Sequence, residues 1–254
     1  GFYYPNGLPF DQNFLSTKDA IEVRSKNAIN FHKFYYPHKA DIPYPPMETK
    51  PAPAPKNIAV VYQGDFFNNS PQLFKDEGYY FVQADTNSTA GLLMKTTSST
   101  FPKVGSWEEM IDMVGYISTR KEHETLIKAE DKKKALDQYW IEVTKDPEAA
   151  KVLIREYFRQ IEFANILFSD TREGWKTDRG MVYTIMGPPQ EVFFKLNAEV
   201  WNYVNPDSNS KITFTFVRVK NILTPNYYSL NRTRLLQPEW FRSISTWRSG
   251  EVVF

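Results

Sequence analysis

Before Phe101, hydrophobic and polar positions fall into short runs, Ala20 to Arg24, Ala28 to Tyr36, Ile58 to Tyr62 and Tyr79 to Ala84, separated by clusters of Pro, Gly, Asn and Asp. Runs of this length, rich in aromatic and β-branched residues and bounded by turn formers, predict β-strands. The polar turn Asp85-Thr86-Asn87-Ser88-Thr89 joins Tyr79–Ala84 to Leu92–Thr96 as a hairpin. Ile42 to Pro55 is Pro-rich and predicts an extended, polyproline-like connector. Residues 1–102 therefore read as a β-rich, antiparallel sandwich-like domain that includes this connector.

From Ser106 the period becomes helical. Ser106 with Glu109 three residues later is a capping box, in which the hydroxyl accepts an orphan amide and the carboxylate returns to the cap amide. Glu122 to Thr144 continues at helical spacing, and its Asp131-Lys132-Lys133-Lys134 run predicts a solvated face. Asp146-Pro147 restarts the chain, with Asp at the cap and Pro in the first turn. In the helix that follows, Ile154, Tyr157, Ile161, Ala164 and Phe168 form a core stripe.

Strands are predicted again after Gly180. Met181 to Met186 is apolar on both faces, which predicts a central strand. Ile212, Phe214 and Phe216 alternate with Thr213 and Thr215, and Lys211 to Val219 pairs as a hairpin with Glu199 to Val204 around Asn205-Pro206-Asp207-Ser208-Asn209. Asn226 to Leu230 predicts another strand, and Pro238 to Ser249 a last helix carrying Trp240 and Trp247. The fold class is α+β: the sandwich, then a helical segment packed on a small antiparallel sheet over residues 103–254.

Composition narrows the chemistry. The chain has 254 residues, 31 basic against 30 acidic, and a formal net charge of +1, so no whole-molecule field points to nucleic acid or an anionic membrane. Cysteine is absent, which excludes disulfides, thiol nucleophiles and cysteine metal sites. The three histidines, His32, His38 and His123, have no metal-binding spacing, and neither a metal nor a cofactor is expected. No nucleophile elbow, phosphate loop, zinc-protease or EF-hand pattern occurs, and no apolar run approaches membrane-spanning length. The chain opens at Gly1 without Met, which reads as a piece of a longer precursor, and a lipid-anchor cysteine would have to lie upstream.

One stretch is dense in special residues. Gly174-Trp175-Lys176-Thr177-Asp178-Arg179-Gly180 leads into Met181–Met186 and then Gly187-Pro188-Pro189. Thr177 and Asp178 are short polar side chains that bond nearby amides, and Arg179 carries a planar five-donor fork. With Asn165 and Arg159 on the preceding helix they can knit helix, loop and strand together, with the Trp175 ring buried across the junction. The competing reading makes Asp178 and Arg179 a recognition or catalytic pair in a cleft that Glu199 also lines. Gly187-Pro188-Pro189 reads as a rigid terminator, because Pro has no amide to offer a phosphate.

This loop resembles the signature of the GWxTD domain family, extracytoplasmic proteins common in Bacteroidota. Tyr139-Trp140 ahead of Lys145-Asp146-Pro147, the helix Glu156 to Asn165 and the Gly187-Pro188-Pro189 end match the same pattern, over roughly Ser106 to Leu230. Ile141-Glu142-Val143-Thr144 departs from it where relatives carry a basic run, so no role resting on that run is carried over. The resemblance implies a periplasmic or cell-surface, outer-membrane-associated protein, a possible lipoprotein. The expectation is a non-enzymatic accessory or scaffold subunit bound to other envelope proteins, an outer-membrane barrel complex among them. The alternative is a hydrolase or carbohydrate-binding module with a cleft at the loop. Aromatics make up 16% of the chain, and the expected partner anchors are Phe31 to Pro46, Trp240 and Trp247.

Overall fold

The computed structural model describes all residues except Asn13, His38, 51–58, 206–208, Ser210, 222–223 and 251–254. Two compact units emerge: Gly1–Ala40 with Ala52–Phe101, and Asp41–Pro51 with Pro102–Phe254. Part of the Pro-rich stretch thus belongs with the second unit, while its remainder lies outside the described residues.

The first unit contains β1 (Phe2–Tyr3), β2 (Leu15–Ser16), β3 (Ala20–Val23), β4 (Asn30–Tyr36), β5 (Tyr62–Phe67), β6 (Gln72–Leu73), β7 (Gly78–Gln83) and β8 (Leu92–Thr97). They form a three-stranded sheet, β1-β3-β6, and a five-stranded sheet, β2-β8-β7-β4-β5, in which only the β2–β8 pairing is parallel. Ile21 and Val23 from the small sheet and Phe31, Tyr35, Phe66, Tyr80, Val82 and Met94 from the large one share a single core. Alternation explains it: on β4, Phe31 and Tyr35 point inward at a spacing of period 2. β7 and β8 form the expected hairpin around residues 85–89. The Ile58–Tyr62 run is displaced, since the strand begins at Tyr62 and residue 58 is not described.

The second unit comprises α1 (Trp107–Val114), α2 (Arg120–Lys128), α3 (Lys132–Thr144), α4 (Pro147–Phe168), a 3-10 turn (Gly174–Lys176) and α5 (Asp178–Met186). After these come β9 (Glu191–Lys195), β10 (Ala198–Val204), β11 (Lys211–Arg218), β12 (Tyr228–Leu230), a second 3-10 turn (Arg234–Leu236) and α6 (Gln237–Ser249). The strands form an antiparallel sheet in the order β12-β11-β10-β9.

Caps account for the helix boundaries. Ser106 caps α1, but the Glu109 carboxylate reaches the N–H of Gly105 rather than that of Ser106. The reciprocal box is made instead by Thr119 and Glu122 at α2. The helix expected over Glu122–Thr144 is two helices, because Asp131 accepts from the Lys134 N–H and starts α3 afresh. Asp146 caps α4 with Pro147 in its first turn, and Tyr157, Ile161 and Ala164 are fully buried along its inner stripe. Burying one such Tyr or Ile side chain contributes about 1.5–3 kcal/mol.

Two expectations are corrected. Met181–Met186 is helical within α5, not a strand. The Thr177 hydroxyl accepts from the Gly180 N–H and Asp178 sits in the first turn, where the helix field favours a carboxylate. An apolar run this short fits either period, so the cap decides. Trp240 and Trp247 are core residues rather than exposed anchors, at 2% and 1% exposure. Trp247 donates its indole N–H to the Ile185 carbonyl and meets the Tyr157 ring edge-on. Phe31 and Tyr35 are likewise interior, and within that stretch Tyr44 is an exposed ring.

Burial pushes the Tyr139 hydroxyl up to about 12, and pushes those of Tyr116, Tyr157 and Tyr203 well above the ordinary value. An unfolded tyrosine ionises at around pH 10. Folded-state pKa values raised above that contribute stability that is intact below about pH 10 and is lost as pH climbs through the folded values. An alkaline titration is expected to show tyrosinate absorbance from these rings rising together with loss of helical circular dichroism. Ionisation of buried rings with the helical signal intact would contradict this.

Candidate functional site

The loop between α4 and α5 is built around two glycines that let backbones touch. A Cβ on Gly174 would lie 1.9 Å from the Ala164 carbonyl oxygen on α4, and one on Gly180 would lie 1.9 Å from the Gly174 carbonyl oxygen. That same Gly174 oxygen accepts the Thr177 hydroxyl at 2.7 Å and the Thr177 N–H at 3.0 Å. Thr177 therefore closes the 3-10 turn and opens α5 with one hydroxyl, since its oxygen also accepts the Gly180 N–H at 2.9 Å.

Trp175 is pinned from both ends. Its N–H donates to Asn165 Oδ1 at 3.2 Å, and its carbonyl accepts the Tyr116 hydroxyl at 2.6 Å. The Tyr116 ring meets the indole edge-on. The Asn165 amide also donates to the Pro102 carbonyl, tying α4 to the chain that enters the unit. Lys176 is buried against Glu173 with its ammonium 5.1 Å from the Trp175 ring centre.

Three arginine–carboxylate pairs surround this turn. Asp178 is 5% exposed. Its Oδ2 accepts the Leu230 N–H at 2.7 Å and Arg232 Nη1 at 3.1 Å, and its Oδ1 accepts Arg232 Nη2. Arg232 reaches on to the Tyr44 carbonyl at 2.8 Å, and the Thr233 N–H bonds the Pro46 carbonyl, so the segment around residues 44–46 is strapped beside the signature. Arg179 donates to Glu199 on β10 at 2.8 Å and stacks 4.2 Å from the Tyr228 ring centre. Arg172 grips Asp170 with Nε and Nη2 and lies over the Tyr227 ring. Desolvation works against the Arg172 charge, but the bonds it donates to Asp170, with the attraction of that carboxylate, outweigh it and raise its hold on the proton. Burial pushes the Tyr116 hydroxyl up, and the Asp178 charge adds to it.

Gly187 ends α5 with φ +73°, a conformation that favours glycine, and its carbonyl accepts the Tyr203 hydroxyl at 2.9 Å. Pro188 and Pro189 follow and stop the helix. A match to the GWxTD domain family model runs over residues 78–249. The chain belongs to the GWxTD domain family. No curated protein and no solved structure matches it.

Of the residues singled out from sequence, the GWxTD loop brings together Gly174, Trp175, Thr177, Asp178, Arg179, Gly180 and Asn165, with Gly187, Pro188 and Pro189 at the far end of α5. Arg159 is not among them: it pairs with Glu156 one turn away on α4 and is half exposed, because the helical period turns it from the face that carries Asn165. Sequence reasoning missed Arg232, Tyr44, Asp170, Arg172 and Tyr116. Asp170 and Arg172 flank the GWxTD loop closely enough to have been noticed, whereas Arg232 is 54 residues from Asp178 and Tyr44 is 188 from Arg232, with no local spacing to link them. Among the described residues, no group of three or more His, Asp or Glu side chains is arranged to hold a metal, and no helix is long and apolar enough to cross a membrane. His32 bonds Asp65 and His123 the Ile111 carbonyl.

Proposed function

We propose that this GWxTD protein is a non-enzymatic accessory or scaffold subunit of a bacterial cell-envelope assembly, held beside the outer membrane by other envelope proteins. One observation carries the reading: the polar groups of the signature are bonded inward. A general base needs a lone pair facing its substrate. Asp178 gives both oxygens to Arg232 and one also to the Leu230 amide, and Glu199 is bonded to Arg179. The motif then acts as the clamp that joins α4, α5, β10, β12 and the strap at residues 44–46, and function falls to the surfaces this clamp presents. The compartment follows from the extracytoplasmic character that the family resemblance implies.

Apolar side chains on the outer side of α4 support a partner-binding role: Val152, Phe163, Ile166 and Leu167 are all exposed, opposite the buried stripe of Tyr157 and Ile161. The test is a gentle pull-down of tagged protein from native membranes, read by mass spectrometry. Wild type is expected to retain envelope proteins, and the triple substitution F163S/I166S/L167S to release them with the thermal transition unchanged. A protein found solitary in native membranes, or complexes indifferent to these changes, would count against the scaffold role and favour a ligand-binding one.

A further inference from the structure

The open edge of the second unit's sheet is β9, whose charges sit only at its two ends and whose centre is apolar. All five of its residues are exposed, with Phe193 at 50% and Phe194 at 80%. It carries no Pro, and its central Val192-Phe193-Phe194 is uninterrupted by charge. The opposite edge, β12, is only three residues long with Tyr228 and Leu230 buried. Natural sheets rarely leave an apolar edge strand unpaired.

We propose that β9 pairs with β9 of a second copy of this chain, antiparallel about a two-fold axis through Phe193, joining two four-stranded sheets into one. The strand's own sequence selects this occupant. In that register Glu191 faces Lys195 of the second copy at both ends, Phe193 faces Phe193, and Val192 faces Phe194. Side chains 191, 193 and 195 share one face and 192 and 194 the other, so every cross-strand pair is either opposite in charge or apolar on both sides. The contact is isologous and closes at two copies. The charges are available: Asn202 and Lys211 both bond Oε2 of Glu191, no bond occupies its Oε1 among the described residues, and Lys195 makes no ion pair among them. Lys211 and Asn202 hold the Glu191 carboxyl below its ordinary value, so it is charged at neutral pH. This pairing does not depend on the scaffold role, since it uses β9 and not the outer side of α4.

Sedimentation equilibrium of the full chain over a range of concentrations tests it. Wild type is expected to dimerise. K195E alone and E191K alone each place like charges at both ends and are expected to weaken self-association at least tenfold. Mixing the two variants makes both end pairs opposite in charge, and the mixture is expected to regain wild-type association. F193D is expected to be monomeric, with circular dichroism melts confirming that each variant stays folded. A wild type monomeric at every concentration overturns the proposal, as does a dimer that K195E and F193D leave intact or a mixture no stronger than its components. Protection of β9 amides from hydrogen exchange only when another envelope protein is bound would also overturn it, because the edge would then take a different strand.

Discussion

Asp178→Ala is expected to lower the stability of the second unit by about 3–5 kcal/mol, the cost of leaving a buried charge without its partner. The substitution strands the Arg232 guanidinium, whose side chain is 17% exposed, and orphans the buried Leu230 amide on β12. Attraction within the pair is not the source of this figure, because desolvation offsets most of it. What the variant loses is the compensation. Arg232→Ala should cost a similar amount, and Asp178→Ala with Arg232→Ala should cost clearly less than the two summed, since the double variant leaves no buried charge alone. All six tryptophans lie beyond Pro102, so tryptophan fluorescence during denaturant unfolding reports on this unit without the first. A loss below about 1 kcal/mol would mean that the pair behaves like a surface ion pair. An unaltered unfolding curve with abolished envelope association would move Asp178 from clamp to contact.

Gly180→Ala separates two effects of opposite sign. Inside a helix, alanine is favoured over glycine by about 0.8–1.0 kcal/mol, so propensity alone has α5 gaining stability. The added Cβ, however, falls 1.9 Å from the Gly174 carbonyl oxygen, and that carbonyl is fixed by two bonds from Thr177. Relief requires moving backbone rather than a flexible side chain. Overpacking of this kind costs about 1–3 kcal/mol, so against the propensity gain of about 1 kcal/mol a net loss of up to about 2 kcal/mol is expected, and more where nothing can yield. Gly174→Ala meets the α4 backbone at Ala164 and Asn165 and should be at least as damaging. Thermal unfolding of both variants checks this, and a raised transition for Gly180→Ala would show that the turn has slack.

Local chemistry was legible in the sequence and distant pairing was not. The start of α4 could be read from Asp146-Pro147, and its inner face from Tyr157, Ile161 and Ala164, because caps and period act within a few residues. The misreading of α5 came from weighing its apolar run above the Thr177 cap, although the cap was visible. Trp240 and Trp247 stand seven apart, two helical turns, so they share one side of α6, a spacing that already favoured the interior. β9 went unread because its exposed Val and Phe give neither alternation with polar residues nor a helical stripe. At the signature, the special residues themselves were evident from their types. Their most distant partners were not, since Arg232 and Tyr44 arrive from other elements and only the folded backbone brings them in.

The strap has a bearing on the order in which the chain folds. Its Tyr44 carbonyl is synthesised long before its donor Arg232, which lies 188 residues later. A chain emerging from its N-terminus therefore carries one edge of the second unit through synthesis of the rest of the first, with nothing yet to bind. Closing a loop of that length carries an entropic cost that grows only logarithmically, so late docking is thermodynamically tolerable. The second unit can be completed only after residue 232 has appeared, whatever its helices have done by then. A chain interrupted before that point would hold a finished α4 beside an open Asp178, a natural point of capture for chaperones.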